Sequence, residues 1–228
     1  MIIVHHLNNS RSQRILWLLE ELGLDYEIKL YQRDVKTQLA PQSLREIHPL
    51  GKAPVITDGD ITVAESGAIV EYLVQSYGGP GMQFSPGSQE LRDYQYWLHY
   101  AEGSLMPFMV MKLIFDTLKT APMPFFIRPI AKGIANEVMK AYVGPNVKLN
   151  LVFVEQYLAQ QHGNQSQYFV GEALSGADFQ MLFPLEAVVA KGAATRYPHI
   201  TEYVQHMQQS EAYQRGLKAG GPYDYIVK

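Results

Sequence analysis

The sequence predicts a small α+β domain followed by a larger all-α domain, and three observations carry that prediction. Ile2–His6, a helical stripe at Ile15, Leu18, Leu19 and Leu22, and Tyr26–Tyr31 form a strand-helix-strand series. Val55-Ile56-Thr57 and Ile61-Thr62-Val63 are β-branched runs around Asp58-Gly59-Asp60, a strong hairpin signal. After the turn-rich Gly78-Gly79-Pro80-Gly81 the pattern changes to long helical stripes. The boundaries read as residues 1–78 for the first domain, 79–88 for a linker and 89–228 for the helical domain.

The first strand ends in the polar loop Leu7-Asn8-Asn9-Ser10-Arg11, and the helix after it stops at Gly23. His5 and His6 invite a metal reading, but adjacent strand residues point to opposite faces and do not share an ion easily. Leu39–Ile47 reads as a short irregular helix ending before His48-Pro49. Pro54 has no N–H for a ladder, so it belongs at the start of its strand, where a cis bond is possible. That placement leaves Ala53 with free backbone groups. Ile69, Val70, Leu73, Val74 and Tyr77 then mark an amphipathic helix with Ser66 at or beside its N-cap.

In the second domain Leu91, Leu98 and Leu105 recur at seven-residue spacing, with Tyr94 and Ala101 on the same side, and Pro107 should kink or end that helix. His99, Glu102 and Ser104 read as its solvated face. Residues 125–142 and 146–161 form two helical stretches or one bent helix, divided at Gly144-Pro145, with Leu149, Val152, Phe153 and Tyr157 toward the core. Ser175 and Asp178 form a capping box, and Leu174 against Phe179 a hydrophobic staple. Leu182, Leu185 and Val189 continue that helix, a further one begins between Tyr203 and Met207, and Tyr213–Leu217 adds a last turn. The segment from Gly220 to Tyr225 either packs over a cleft or stays loose.

Composition excludes several classes of function. A net charge of −3 without a long basic run gives no footprint for nucleic acid. No apolar run approaches the ~18 residues of a membrane span, and Met1-Ile2-Ile3-Val4 lacks the basic start of a signal peptide, so a cytoplasmic protein with no membrane partner is expected. The chain has no cysteine, which rules out disulfides, thiolate zinc sites and a catalytic thiol of its own. No histidine-carboxylate cluster has metal spacing, so no metal is expected.

The stretch from Leu50 to Tyr72 gathers backbone groups at Ala53, the Glu65 carboxylate, the Ser66 hydroxyl and a helix N-terminus around one space. The helix N–H groups and dipole suit an anion and Glu65 suits a cation, so the space fits a ligand with both a carboxylate and an ammonium group.

The combination Lys52-Ala53-Pro54-Val55, Asp58-Gly59 and Glu65-Ser66-Gly67-Ala68-Ile69 resembles the glutathione-binding core of the glutathione S-transferase family. Gly171–Phe179 resembles the helix-start motif of that family's helical domain, so the likeness covers nearly the whole chain. Ser10-Arg11 ahead of Leu18-Leu19-Glu20-Glu21-Leu22 is most similar to the bacterial and fungal serine-type branch, with a theta-like position for the active serine. The implied fold is a thioredoxin-like N-terminal domain followed by an all-helical C-terminal one.

The resemblance implies that Ser10 donates to the glutathione sulfur, with Ser12 as a fallback donor and Asn8 or Arg11 assisting. It implies further that Lys52 holds the glycyl carboxylate, Ala53 the cysteinyl backbone beside Pro54, and Glu65 and Ser66 the γ-glutamyl end. Tyr100, Met106 and Met111 would line the second-substrate pocket. Glutathione is then a co-substrate rather than a cofactor, its thiolate attacking a small hydrophobic electrophile or reducing a peroxide. A disulfide reductase using two glutathiones and a non-catalytic ligand- or protein-binding module stay open as alternatives. A homodimer is implied as well.

Overall fold

The computed structural model describes residues 1–35, 37 and 39–227, apart from the Pro80 side chain. Four strands form one sheet in the order β2-β1-β3-β4: β1 (Ile2–Leu7), β2 (Tyr26–Tyr31), β3 (Val55–Asp58) and β4 (Ile61–Ala64). β1 pairs parallel with β2 and antiparallel with β3, and β3 pairs antiparallel with β4. The parallel pair is joined by α1 (Gln13–Leu22), which Gly23 closes with φ 64° in the left-handed region. The predicted hairpin turns at Gly59-Asp60, with Gly59 at φ 58°. Asp58 ends β3 by accepting hydrogen bonds from the hydroxyls of Tyr72, at 2.9 Å, and Tyr77.

α2 (Gln42–Arg45) is shorter than the span expected for it, since extended Pro41 sets its start. The Ala53–Pro54 bond is cis, and Val55 opposite His5 is the first ladder pair. α3 (Ser66–Tyr77) follows and buries Ile69, Val70, Leu73 and Val74 as its spacing predicts.

The helical domain opens at α4 (Gln89–Tyr100), whose N-cap Ser88 accepts from the Leu91 N–H. Leu98, Ala101 and Leu105 are buried as predicted. Pro107 does not end the helix. A π-turn over Ala101–Leu105 carries the chain into α5 (Met106–Leu118), with the Met106 N–H bonded to the Ala101 carbonyl five residues back. That wider turn absorbs the missing proline N–H. The same device joins α6 (Arg128–Val138) to α7 (Gly144–Gly163) across Met139–Val143, so Gly144-Pro145 is a continuation.

The buried face of α7 is Val147, Leu151, Val154 and Leu158, while Leu149 and Phe153 are exposed. Val152 and Tyr157 of the expected stripe are half-buried against the core, so the correction falls on Leu149 and Phe153. Apolar residues are spread round α7 between Asn146, Lys148, Asn150, Glu155 and Gln156, so its periodicity does not select a face. The extra residue of the π-turn sets the phase instead.

α8 (Gly176–Val188) runs buried through the domain centre, and α9 (Pro198–Gln209) and α10 (Glu211–Gly220) follow, each longer than its stripe suggested. Asp178 accepts from the Ser175 N–H at 2.9 Å and the Phe169 N–H at 2.9 Å, while the Ser175 hydroxyl donates to it at 3.0 Å. The core is continuous between the two domains, with Trp17 of α1 packed on Phe179 of α8 at 4.4 Å between centroids and on Tyr213 of α10 at 5.8 Å. α10 lies so close to α1 that a Cβ on Gly216 would stand 3.0 Å from the Trp17 backbone nitrogen. No described helix is long and apolar enough to cross a membrane.

Candidate active site

The loop between β1 and α1 presents two hydroxyls with different surroundings. Ser12 is fully buried, and its Oγ lies 2.8 Å from His6 Nδ1, 2.7 Å from Ser10 Oγ and 3.2 Å from both the N–H and the carbonyl of Leu7. Burial pushes His6 down to about 4, so the ring is neutral at physiological pH, and its other N–H bonds to the Gly220 backbone. Nδ1 is then an acceptor and takes the Ser12 proton. The remaining Ser12 lone pair faces Ser10, whose Oγ accepts the Ser12 N–H at 3.2 Å and can donate its own proton. Ser12, the fallback donor, is thus sealed off. His5 turns the other way, to the Tyr31 hydroxyl at 3.0 Å, as the alternation of strand faces requires.

Ser10 lines one lobe, about 420 Å³, of a cleft between the sheet domain and the faces of α5 and α8. Its neighbours there include Asn9, Ala53, Met106, Phe183 and Tyr225. The adjoining lobe, about 410 Å³, is lined by Lys52, Ala53, Pro54, Glu65, Ser66 and Glu102, and shares Arg11, Lys52 and Ala53 with the first. The five residues expected to hold the γ-glutamyl, cysteinyl and glycyl parts of one ligand therefore surround one lobe, and Ser10 the next. Ala53 lies two residues ahead of the first ladder pair and makes no backbone bond among the described residues.

Glu65 immediately precedes α3 with φ 73°, a conformation costing a non-glycine residue about 1–3 kcal/mol and concentrated at ligand sites. It leaves the carboxylate exposed and the first N–H groups of α3 beside the buried Ser66. Behind them stands Arg14 of α1, buried, with Nη1 3.0 Å from Glu102 Oε1 and 3.4 Å from Ser66 Oγ, and bonded to Gln180 of α8. Its ring-face contact is Phe183, at 5.1 Å from the guanidinium carbon to the centroid.

Glu102 departs from its expected place on a solvated face. It accepts both Oε contacts from Arg11 Nε at 2.8 and 2.9 Å as well as that of Arg14, and lines the cleft. Two of the expected second-substrate residues lie elsewhere. Tyr100 sits in the helical interior, its hydroxyl donating to Asn150 at 2.5 Å and its ring beside Trp97 and Phe153, and Met111 packs against the core. After the π-turn α5 shows Met106, Met109, Val110 and Leu113 to the cleft, and this i, i+3, i+4, i+7 face excludes Met111. Met106 does line the Ser10 lobe. Asn8 lines neither lobe, its carboxamide oxygen accepting the Arg33 N–H at 3.2 Å.

Of the two fates considered for the C-terminal segment, it packs over the cleft. The Asn9 carboxamide donates to Asp224 Oδ2 at 2.8 Å and accepts the Asp224 N–H at 3.0 Å. Tyr223 donates to Glu186 at 2.7 Å, and Gln208 holds the Tyr225 carbonyl at 3.1 Å and the Val227 N–H at 2.9 Å. The Asn9–Asp224 pair joins residues 215 positions apart, and no local pattern announces any of these contacts. Among the described residues no group of three or more His, Asp or Glu side chains could hold a metal ion.

The site can therefore donate one hydrogen bond into a lobe with an apolar wall on the α5 and α8 side and cationic side chains at its rim, beside a polar lobe with both signs of charge. Residues 1–75 match the N-terminal domain of glutathione S-transferase and residues 114–211 its C-terminal domain. Glutathione S-transferase 3 of Schizosaccharomyces pombe is 40% identical over 82% of this chain and 74% of its own length. Glutathione S-transferase 1 of Saccharomyces cerevisiae is 35% identical over 93% and 92%. A solved glutathione S-transferase from Actinobacillus pleuropneumoniae superposes with a TM-score of 0.75 at 34% identity, covering 95% of this chain and 91% of that one.

Proposed function

We propose, for a chain that belongs to the glutathione S-transferase family, that it ionises the thiol of bound glutathione through Ser10 and transfers the sulfur to a small hydrophobic electrophile. The observation that carries this reading is the meeting of Ser10 with Lys52, Ala53, Pro54, Glu65 and Ser66 around two joined lobes of one cleft. In it Ala53 pairs with the cysteinyl backbone, Ser66 and the α3 N-terminus take the γ-glutamyl carboxylate, Glu65 its ammonium, and Lys52 the glycyl carboxylate.

A free thiol near pKa 8.5 needs about 1.4 kcal/mol of selective thiolate stabilisation for each unit of depression. A hydrogen bond to a charged group contributes about 1.5–3 kcal/mol, enough for one or two units. The Ser10 proton leaves Ser12 for the sulfur, while the Ser12 N–H continues to support the oxygen. The thiolate then forms a C–S bond as the leaving group departs with its electron pair, or attacks the terminal oxygen of an organic hydroperoxide, breaking the O–O bond to give glutathione sulfenic acid and an alkoxide that takes a proton from water to leave as the alcohol. The apolar wall of Met106, Phe183 and Tyr225 receives that second substrate.

A homodimer in the cytoplasm belongs to the same reading. The exposed stripe Phe126, Ile130 and Ile134 on and before α6 supports it, being apolar surface a second copy can cover.

The test is the ultraviolet difference spectrum of thiolate across pH, with glutathione bound to the parent and to Ser10→Ala. Thiolate well below pH 8.5 in the parent, and a titration moved upward by about one to two units in the variant, is the expected result. An unmoved titration removes Ser10 from the mechanism.

A further inference from the structure

We propose that the second substrate is an elongated organic anion, an apolar chain ending in a carboxylate or similar group, whose charged end lies in a cation-lined chamber of the helical domain. The proposal rests on the reading above for the reacting end of that molecule. The chamber, about 280 Å³, lies between α5, α7 and the end of α8. Its walls are apolar, from Met139, Val147, Leu151, Val188 and Tyr197, and its charged lining consists of Lys112, Lys148, Lys191 and Arg196. No Asp or Glu lines it among the described residues. In a chain of net charge −3, four cations without an acid around one apolar hollow are a local arrangement that the overall composition does not explain.

The chamber adjoins the Ser10 lobe. Met109, Leu113, Ala187 and Lys191 line both, and the flexible thioether of Met109 is a wall that adapts to a chain threaded past it. Lys191 holds this shared position because α8 gives way to a kink there, with Lys191 at φ −87°, ψ 15° and Gly192 at φ 88°, ψ 20°. Lys112 is paired with Asp116 on its own helix. Lys148, Lys191 and Arg196 are exposed and have no ion pair within the described residues.

A compact neutral electrophile gains nothing from this second chamber. An anion with an apolar body gains twice: its chain leaves water along the shared wall, and its charged group meets Lys148 and Arg196, which lie clear of the two lobes assigned to glutathione and Ser10.

The decisive experiment uses decanoate and 1-decanol as inhibitors of conjugation of 1-chloro-2,4-dinitrobenzene by the full-length protein and by Lys148→Gln/Arg196→Gln. Both substitutions are on exposed side chains, so the variant keeps its fold and its turnover of the neutral electrophile. Decanoate is expected to compete with the electrophile and not with glutathione. Its inhibition constant should rise about ten-fold in the double variant, and also in the parent at about 0.5 M salt, with 1-decanol unchanged in both. Equal constants for parent and variant overturn the proposal, as does competition of decanoate with glutathione, which would put the carboxylate at the Lys52 lobe. Calorimetric titration of decanoate into parent and variant reads the same contrast without turnover. A parent that shows no bound thiolate in the difference spectrum but shows the ten-fold calorimetric difference therefore sinks the transferase reading and leaves this chamber standing.

Discussion

Residue by residue, the site depends on which hydroxyl keeps a proton to give. Ser12 spends its proton on His6 inside the protein, so Ser12→Ala is expected to leave the glutathione thiolate titration where it is, or lower it slightly by freeing Ser10 from its resting partner. The same substitution orphans the Leu7 N–H and should cost about 1–3 kcal/mol in denaturant unfolding. An upward titration shift comparable with that of Ser10→Ala would make Ser12 the activating group.

Two buried groups near the C-terminal segment set opposing pH dependences. Burial raises Glu186 to about 7, outweighing donors from Tyr213, Gln208 and Tyr223, whereas burial lowers His6 to about 4. The raised carboxyl gives stability that is complete below its unfolded value near 4.5 and is lost as pH rises through 7. The depressed imidazole gives stability that is complete above 6.5 and is lost as pH falls through 4. Glu186→Gln removes the first contribution alone. Relative to the parent, the variant should therefore lose about 2–3 kcal/mol more stability between pH 7 and pH 4.5, measured by urea unfolding at matched ionic strength. Parallel pH curves for the two proteins would place the Glu186 titration elsewhere.

Among the elements, α8 carries the most, because α1, α3, α4 and α9 all pack on it. Gly176 at its start admits no side chain: a Cβ would lie 2.5 Å from the Tyr94 hydroxyl oxygen and 2.9 Å from Val70 Cγ1. Gly176→Ala forces α3 or α4 to shift, and should destabilise the protein by about 1–3 kcal/mol in thermal or denaturant unfolding. Unchanged stability would mean that the junction yields freely. Two residues on, the Asp178 carboxylate was readable from sequence, because a capping residue and its target lie within one turn. The π-turns were not. Pro107 and Gly144-Pro145 announce disruption of a helix, but whether the chain breaks or widens depends on the neighbours packed against it, and that choice decided which face of α5 and α7 is buried. Met111 was misplaced for this reason, and Met106, adjacent to the turn, was not; Tyr100 precedes the turn and is held inside by Asn150 of α7, a contact between distant segments.

At the scale of the molecule, the domains are joined through charge as well as core. Arg14, wholly buried in the first domain, meets Glu102 and Gln180 of the second. Glu102→Gln leaves that guanidinium without its carboxylate. Because Glu102 is itself 30% exposed, the cost should be about 1–2 kcal/mol rather than that of a fully buried pair. The expected signature is an unfolding midpoint moved down together with weaker glutathione binding by calorimetry, since Arg14 and Arg11 border Ser66 and the polar lobe. Weaker binding without any loss of stability would confine Glu102 to ligand contact.

The sequence by itself determined the four strands, the turn at Gly59, the cap at Asp178 and the cluster of Ala53, Pro54, Glu65 and Ser66. Each of these depends on residues close in the chain, where alternation, turn chemistry and capping act over a few bonds. Tertiary structure alone decided that Ser10 rather than Ser12 faces the cleft, that Glu102 bridges two arginines, that Asp224 closes on Asn9 and that two chambers share Lys191. These pairings join distant segments, and a hydroxyl or carboxylate carries no local mark of whether packing will bury it, pair it or open it to solvent.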